Sequence, residues 1–411
     1  MSLLEKASII TTPTAYGVGV LNSIKPAIPV GDGDFDFART STATRVNEDY
    51  LIETVAANIP RLDYTNGVAQ ILVEPESTNL LNYSNDFSNS DWTKQSGVTA
   101  TYNTTETLSP DGTYNATKLI GNGTTGIFDS VTVSGVVSRS IYIKSVTGNV
   151  NVILKDPQNT VTQKTLNVTT QWQRFELVED NTISSQGLWV DDIPSSGIYI
   201  YGAQIESQSY STSYIPTDGS SITRATETLS NAGNSDLFND TAGTLYCEIA
   251  ALNNDGVRRD ISFSNGNTSN VVRISFHSVS NTIRAQIRAG NVLVASLSYV
   301  VLDVKDFYKV ALSFDANRAR LFVDGVEVGL DTSVTTPSGL NTLDFNAGGT
   351  SGPFYGKCKT VAVFKEALSE SEMACLTSTG NREIFLNYYY RMHYVGANID
   401  ALSCAEKTFN V

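Results

Sequence analysis

The residues best suited to chemistry in this chain are its aromatics. A sugar ring binds where an exposed aromatic face lies beside amides or carboxylates, because the ring's apolar C–H face stacks while its hydroxyls hydrogen-bond. Trp92, Trp189, Tyr199 and Tyr201 are the candidates for such a platform, and each fits a sandwich interior equally well. Metal chemistry finds less support. Asp32, Asp34 and Asp36 imitate the start of a calcium loop, but Phe37 stands where that loop needs glycine and Ala43 where it needs the bidentate glutamate. Asp255, Asp260 and Asp315 are loop carboxylates that calcium could use; no other cofactor is expected. Cys247, Cys358, Cys375 and Cys404 form no C-x-x-C pair and have only His277 and His393 for company, so zinc is not expected and the cysteines read as buried reduced thiols.

Catalytic patterns fail on context. Gly121-Asn-Gly-Thr-Thr-Gly126 has dinucleotide-loop spacing, but Ile127–Val133 reads as a strand where a helix must begin. Glu248 and Glu327 fall on expected strands outside any Glu-x-Asp-x-x-Glu arrangement, no G-x-S-x-G occurs, and two histidines leave few routes to a triad. His277 belongs to the polar side of a strand, and His393 to an aromatic tail. The chain reads as a protein that is not an enzyme.

Composition points to the elements that must hold these residues. Lys plus Arg number 28 against 42 Asp plus Glu, a net charge of −14. Such a surface repels phosphate backbones and anionic lipid, so neither nucleic acid nor a membrane is an expected partner. No run of about 18 apolar residues occurs, which argues against membrane insertion. The N-terminus lacks the basic and apolar parts of a secretory signal, and a soluble chain is expected. With 41% hydrophobic and 17% charged residues in 411, there is ample material for two or three domains. Nineteen Tyr, 16 Phe and 30 Gly against three Met predict an all-β fold.

Five stretches follow along the chain. Residues 1–36 open with a capping box at Ser2 and Glu5, then become Gly- and Pro-rich, predicting an extended arm that needs another surface. Residues 37–80 read as short hairpins. Residues 81–228 alternate, with Ile141 and Ile143, then Val150, Val152 and Leu154, on single faces, and predict a jelly-roll-like sandwich. Residues 229–379 predict a second sandwich: Val272, Ile274 and Phe276 oppose Arg273, Ser275 and His277, while Ile283, Ala285 and Ile287 oppose Arg284, Gln286 and Arg288. A hairpin turns at Asp324-Gly325, and Ser369 with Glu372 caps a helix over 368–376. Residues 380–411 carry Ile384, Phe385, Leu386 and Tyr388–Tyr390, an apolar load that must pack on the preceding sandwich or on another subunit.

Several of these segments resemble known families. Phe37-Ala-Arg-Thr-Ser-Thr-Ala-Thr-Arg-Val-Asn47, Leu51-Ile-Glu53, Pro60-Arg-Leu-Asp-Tyr64 and Glu74-Pro-Glu-Ser-Thr-Asn-Leu-Leu81 resemble the entry segment of bacteriophage virion appendage proteins. Asn82–Lys94, Ser109-Pro-Asp-Gly112, Trp172-Gln-Arg174, Gly202–Glu206, Tyr214-Ile-Pro-Thr217 and Thr223-Arg-Ala225 resemble the carbohydrate-binding-like sandwich of phage head-spike and tail-fibre proteins. Phe307–Asp315, Leu321–Gly329 and Ala367–Glu372 are similar to laminin-G-like, concanavalin A-like lectin sandwiches. The resemblance spans residues 35–379. It implies a noncatalytic homo-oligomeric fibre or decoration on a virion head or tail, assembled in the bacterial cytoplasm and released by lysis. Its N-terminal arm would meet capsid or tail proteins, and its sandwiches would adhere weakly and multivalently to cell-surface glycans. A head-fibre or cement protein without sugar binding is the alternative, and a capsule depolymerase a third.

Overall fold

Two-residue alternation dominates the chain and produces two β-sandwiches, one inserted into the sequence of the other. The computed structural model describes residues 2–26, 31–158 and 161–379. The all-β class and the pair of sandwiches agree with the sequence; their order along the chain does not, because they are nested instead of tandem.

The host sandwich, which resembles the lectin type, is built from both ends of the chain. Its larger sheet has eleven strands and runs from Thr228–Ser230 through Phe35–Ala38, Val20–Lys25 and Ala7–Gly17 to Gly356–Phe364, Gly243–Ala251, Tyr308–Asp315, Arg318–Val323 and Val326–Asp331, with Gln70–Val73 and Arg61–Asp63 branching from Gly356–Phe364. Facing it is a five-stranded sheet in the order Val292–Val300, Thr282–Ala289, Val271–Phe276, Arg259–Ser264, Thr342–Asp344. Between them lie Ile9, Leu21, Phe35, Ile249, Phe263, Ile274 and Phe314, all but sealed from water.

The expected N-terminal arm is therefore not an arm. Ala7–Gly17 pairs with Val20–Lys25 on one side and with Gly356–Phe364 on the other. The glycines marked a turn correctly, since Gly19 has φ +75°. What the arm reading overlooked is that Ile9, Ile10, Leu21 and Phe35 each need burial, and that strand backbone needs partners, both of which the sheet provides.

The inserted sandwich packs the sheet Thr99–Thr101, Thr117–Ile120, Ile198–Glu206, Gly135–Ser145, Gln173–Asn181 against Gln163–Val168, Val150–Lys155, Ser185–Asp191, Ile127–Thr132, Thr93–Lys94. Leu119, Ile141, Ile143, Val152, Leu154, Leu188 and Ile200 fill its core. Its entry and exit strands, Ser77–Asn79 and Ile222–Arg224, pair with each other, so the insert leaves and rejoins the host at one point.

A buried ionic cluster welds that point. Glu227 accepts from Arg39 at 2.6 Å and from Arg61 Nε at 2.8 Å; Glu74 accepts from Arg61 at 2.8 Å and lies 2.9 Å from Arg224. Burial alone raises the Glu74 pKa, but Arg224, Arg61 and the Ser213 donors outweigh it and hold the carboxyl well below its ordinary value. Arg39, Arg61, Glu74 and Arg224 thus supply the interior of this joint. The capping box at Ser369 and Glu372 forms as expected, and Asp324 and Gly325 take φ +47° and +89° in their hairpin. Cys247 and Cys358 are buried free thiols, whereas Cys375 is disulfide-bonded, against the expectation of four reduced cysteines. The aromatic tail lies outside the described residues.

Candidate functional site: an arginine-lined sheet face

The five-stranded sheet of the host sandwich turns its alternate residues away from the core, and those residues align across four strands. One row reads Asp260, Ser275, Arg284, Ser298; the next reads Ser262, Arg273, Gln286, Ser296; Arg288 stands beside Val271 in a third. Hydrophobic residues at the intervening positions fix the register, since a slip of one residue would turn these polar groups into the apolar core; Asp260, Ser262, Arg273, Ser275 and Gln286 are themselves buried on their own face.

Four guanidiniums, those of Arg258, Arg273, Arg284 and Arg288, share this face with two carboxylates, of which only Asp260 meets an arginine. Asp260 accepts from Arg258 Nε at 2.7 Å and from Ser275 Oγ at 2.5 Å, and lies 3.8 Å from Arg273. Arg273 donates to Gln286 Oε1 from Nε at 3.1 Å and from a terminal nitrogen at 2.5 Å, and Gln286 donates to Ser296 Oγ at 3.2 Å. Arg284 donates Nε to Ser298 at 3.1 Å, and Arg288 donates to the Asn291 carbonyl at 2.7 Å. Among the described residues no hydrogen bond engages the terminal nitrogens of Arg258 or Arg284, and Arg288 Nε is buried without a partner. Asp344 begins the middle row, but its carboxylate is engaged by the Asn231 amide and Thr342.

The electrostatics follow from this imbalance. Burial lowers the Arg273 pKa; Asp260 opposes the shift, and Arg258, Arg288 and Arg284 add to it by repulsion. His277 stands at the rim, where burial and then the charges of Arg284 and Arg258 lower its pKa. On one side the turn at Gly352 closes over Asp260; a Cβ there would sit 2.0 Å from the carboxylate, so only glycine fits. Arg284 and Arg288, on the other side, remain partly exposed. Guanidiniums with unengaged donors recognise carboxylate, sulfate or phosphate oxygens, and the exposed Ser296 and Ser298 suit hydroxyls, whereas Ser262, Ser275 and Gln286 are buried and already bonded within the chain.

The four aromatics proposed as a sugar platform are occupied otherwise. Trp92 is only 2% exposed, packs against Phe87 with tilted rings 4.8 Å apart and donates Nε1 to the Tyr83 carbonyl at 2.8 Å. Trp189 is half-buried, with the Lys155 ammonium 3.9 Å above its ring and Phe128 5.3 Å away. Tyr199 and Tyr201, 5% and 4% exposed, donate to Glu106 at 2.9 Å and Asp111 at 3.0 Å. Burial, reinforced by Glu106, pushes the Tyr199 pKa up to about 12. These bonds, with Trp172 Nε1 on the Leu108 carbonyl at 2.8 Å, pin the loop of residues 104–116 across the sheet, while Ile52 packs on Tyr201 and Tyr214. The chain itself covers the face on which a sugar would stack. A shallow hollow of about 130 Å³ nearby is lined by Tyr102, Asn103, Asp86 and Asn85, but the Asn85 amide is already bonded to Asn115 and Gly202.

The carboxylates considered for calcium are dispersed. Asp34 binds Asn22 and Ser23, Asp36 binds Asn231, Asp255 pairs with Arg259, and Asp315 with Arg318. Among the described residues no three potential metal ligands converge. Glu248 and Glu327 pair with Lys359 and Arg320 and lie three strands apart, or about 14 Å at ordinary strand spacing, beyond the reach of a glycosidase pair.

The arginine face was not among the residues nominated from the sequence, although its signal was present. Arg273, Arg284 and Arg288 occupy the outward positions of two adjacent strands in a chain of net charge −14. Weighing basic outward positions against that balance finds them, whereas the search for aromatic platforms passes them over.

Residues 224–374 match the family model of the concanavalin A-like lectin/glucanases superfamily. No match was found among curated proteins. Solved structures similar to this chain include the CBM40 module of the Ruminococcus gnavus IT-sialidase bound to α2,3-sialyllactose, at 16% identity over 36% of this chain and 92% of that one with a TM-score of 0.31. Others are a heptameric SAP-like pentraxin from Limulus polyphemus (14%, 34% of this chain, 73% of that chain, 0.29) and domain 4 of the Geobacillus stearothermophilus arabinanase AbnA in complex with arabinotriose (11%, 37%, 73%, 0.30).

Proposed function

We propose that this chain is a noncatalytic glycan-binding protein that holds anionic saccharides on the arginine face of its lectin-like sandwich, as an appendage of a bacteriophage particle. The observation that carries the reading is the excess of guanidinium over carboxylate, four against Asp260 and Asp344, on one sheet face of an otherwise acidic molecule. Folding ordinarily pairs such charges, and Arg284 and Arg288, which meet no carboxylate among the described residues and stand beside the exposed Ser296 and Ser298, fit a ligand bearing both acid groups and hydroxyls. The lectin-type family match over residues 224–374 supports a saccharide as that ligand. Phage-like segments around residues 37–81 support the appendage, and display in many copies on one particle would turn weak single sites into useful adhesion.

For the inserted sandwich alone a second reading is favoured. Its aromatic face is covered by residues 104–116, so this lobe acts as a rigid spacer and binds no sugar there.

A glycan array spanning sulfated, uronate-containing, sialylated and neutral oligosaccharides tests the proposal. Binding to acidic members should fall at least tenfold in a R284A R288A variant, consistent with about 1.5–3 kcal/mol for each charge-assisted bond removed, with the melting temperature unchanged. A blank array, or equal binding by the variant, would reject it.

A further inference from the structure

Two arginines that are held apart cannot share one acid group. Arg284 and Arg288 stand four positions apart on the strand Thr282–Ala289 and on the same face of it, which at strand geometry separates their Cα atoms by about 14 Å. Each is tied to its own end. Arg284 donates Nε to Ser298 Oγ at 3.1 Å, and Arg288 donates a terminal nitrogen to the Asn291 carbonyl at 2.7 Å, in the turn beyond the strand. Gln286, between them, is bonded to Arg273 and Ser296.

A strip of exposed side chains runs beside this pair. Opposite Thr282, Arg284 and Gln286 the strand Val292–Val300 sets Val300, Ser298 and Ser296. A bulge then shifts the alternation: Ile287 pairs with Ala295 but Arg288 with Leu293, so Val294 turns to the core with Ala295 while Leu293 comes up beside Arg288. Leu293 and Val300 are 47% and 69% exposed, and Ser296 and Ser298 are exposed between them. Each serine oxygen accepts within the chain, from Gln286 and from Arg284, and its own hydroxyl hydrogen is left for a ligand. The strip thus offers apolar contact at its ends and hydroxyls in its middle, with a guanidinium beside Ser298 and another beside Leu293.

We propose that this face binds a linear acidic polysaccharide along its length, parallel to Thr282–Ala289, with one acid group on Arg284 and a second on Arg288. A saccharide with a single terminal acid fills half of the site. The inference rests on the reading of the arginine face as a saccharide site and adds the architecture of the ligand: acid groups repeated along a chain, two of them on the order of 14 Å apart, with hydroxyls on Ser296 and Ser298 and the C–H face of a ring on Leu293. Once one acid is held, the second binds at the effective concentration set by the chain that joins them, so affinity depends on length.

Isothermal titration calorimetry of the full chain at one salt concentration reads the result, with galacturonic acid, its linear oligomers up to the octamer, and 3′-sialyllactose as ligands. The monomer and 3′-sialyllactose should bind weakly, and affinity should rise at least tenfold once the oligomer reaches both arginines. Arg284→Ala and Arg288→Ala, each at a partly exposed position, should each remove that rise while the monomer still binds at the remaining guanidinium. Arg288→Lys, which keeps the charge, should retain it. Affinity that stays flat from monomer to octamer, tighter binding of 3′-sialyllactose than of the octamer, or a length dependence that survives Arg288→Ala would overturn this inference and leave the saccharide reading standing. No binding by any of these acids would overturn both.

Discussion

Asp129 shows how one side chain can set a pH response. It is 7% exposed, and burial, with a smaller contribution from Asp91, raises its pKa to about 6. Below the unfolded value of 3.8 the carboxyl is protonated in both states and costs nothing. As pH rises from there to about 6 the unfolded chain releases the proton more readily than the folded one, so stability falls; above that it levels off. Asp129→Asn should therefore raise stability by on the order of 2–3 kcal/mol at pH 8 and change nothing below pH 4, read by thermal melts across that range. A gain equal at every pH would show a packing effect instead. The acids and aromatics of this chain were visible by type in its sequence, but their roles depend on neighbours: Tyr199 and Tyr201 look like platforms until Glu106 and Asp111, some 90 residues away, are found bonded to their hydroxyls.

The strand Ala7–Gly17 lies between two others in the eleven-stranded sheet and contributes Ile9 and Ile10 to two different cores. Removing residues 2–26 should consequently abolish cooperative folding, seen as loss of a sharp thermal transition; a truncated protein that melts normally would contradict the assigned pairing. Elements of strong period were legible from the sequence: the strands around Val272 and Ile283, the Asp324-Gly325 turn and the Ser369 cap all form where expected. The N-terminal pairing was not, because its strands interrupt their alternation at bulges and find their partner, Gly356–Phe364, some 350 residues away. Local patterns carry no information about a contact of that separation. The same reason hid the nesting of the sandwiches, which rests on the pairing of Ser77–Asn79 with Ile222–Arg224.

At the scale of the molecule, a host sandwich grips an inserted one through two adjacent strands and one buried ionic cluster. Because Asn79 and Ile222 are paired neighbours, replacing residues 81–220 by a short Gly-Ser linker should leave the host sandwich cooperatively folded and its arginine face competent. Its stability should drop as Glu74 and Arg61 lose Ser213 and with it three charge-assisted bonds; a product that fails to fold would mean that the sandwiches are one cooperative unit. Where acid-bearing saccharide meets the arginine face, His277 reports on it, since burial and then Arg284 and Arg258 hold its pKa down. Titrating the His277 ring by NMR with and without saturating oligogalacturonate or a sulfated dextran oligosaccharide should show its pKa rising when the ligand's charge offsets those arginines, and not rising with maltohexaose. A His277 titration unmoved by either acidic saccharide would contradict the assignment.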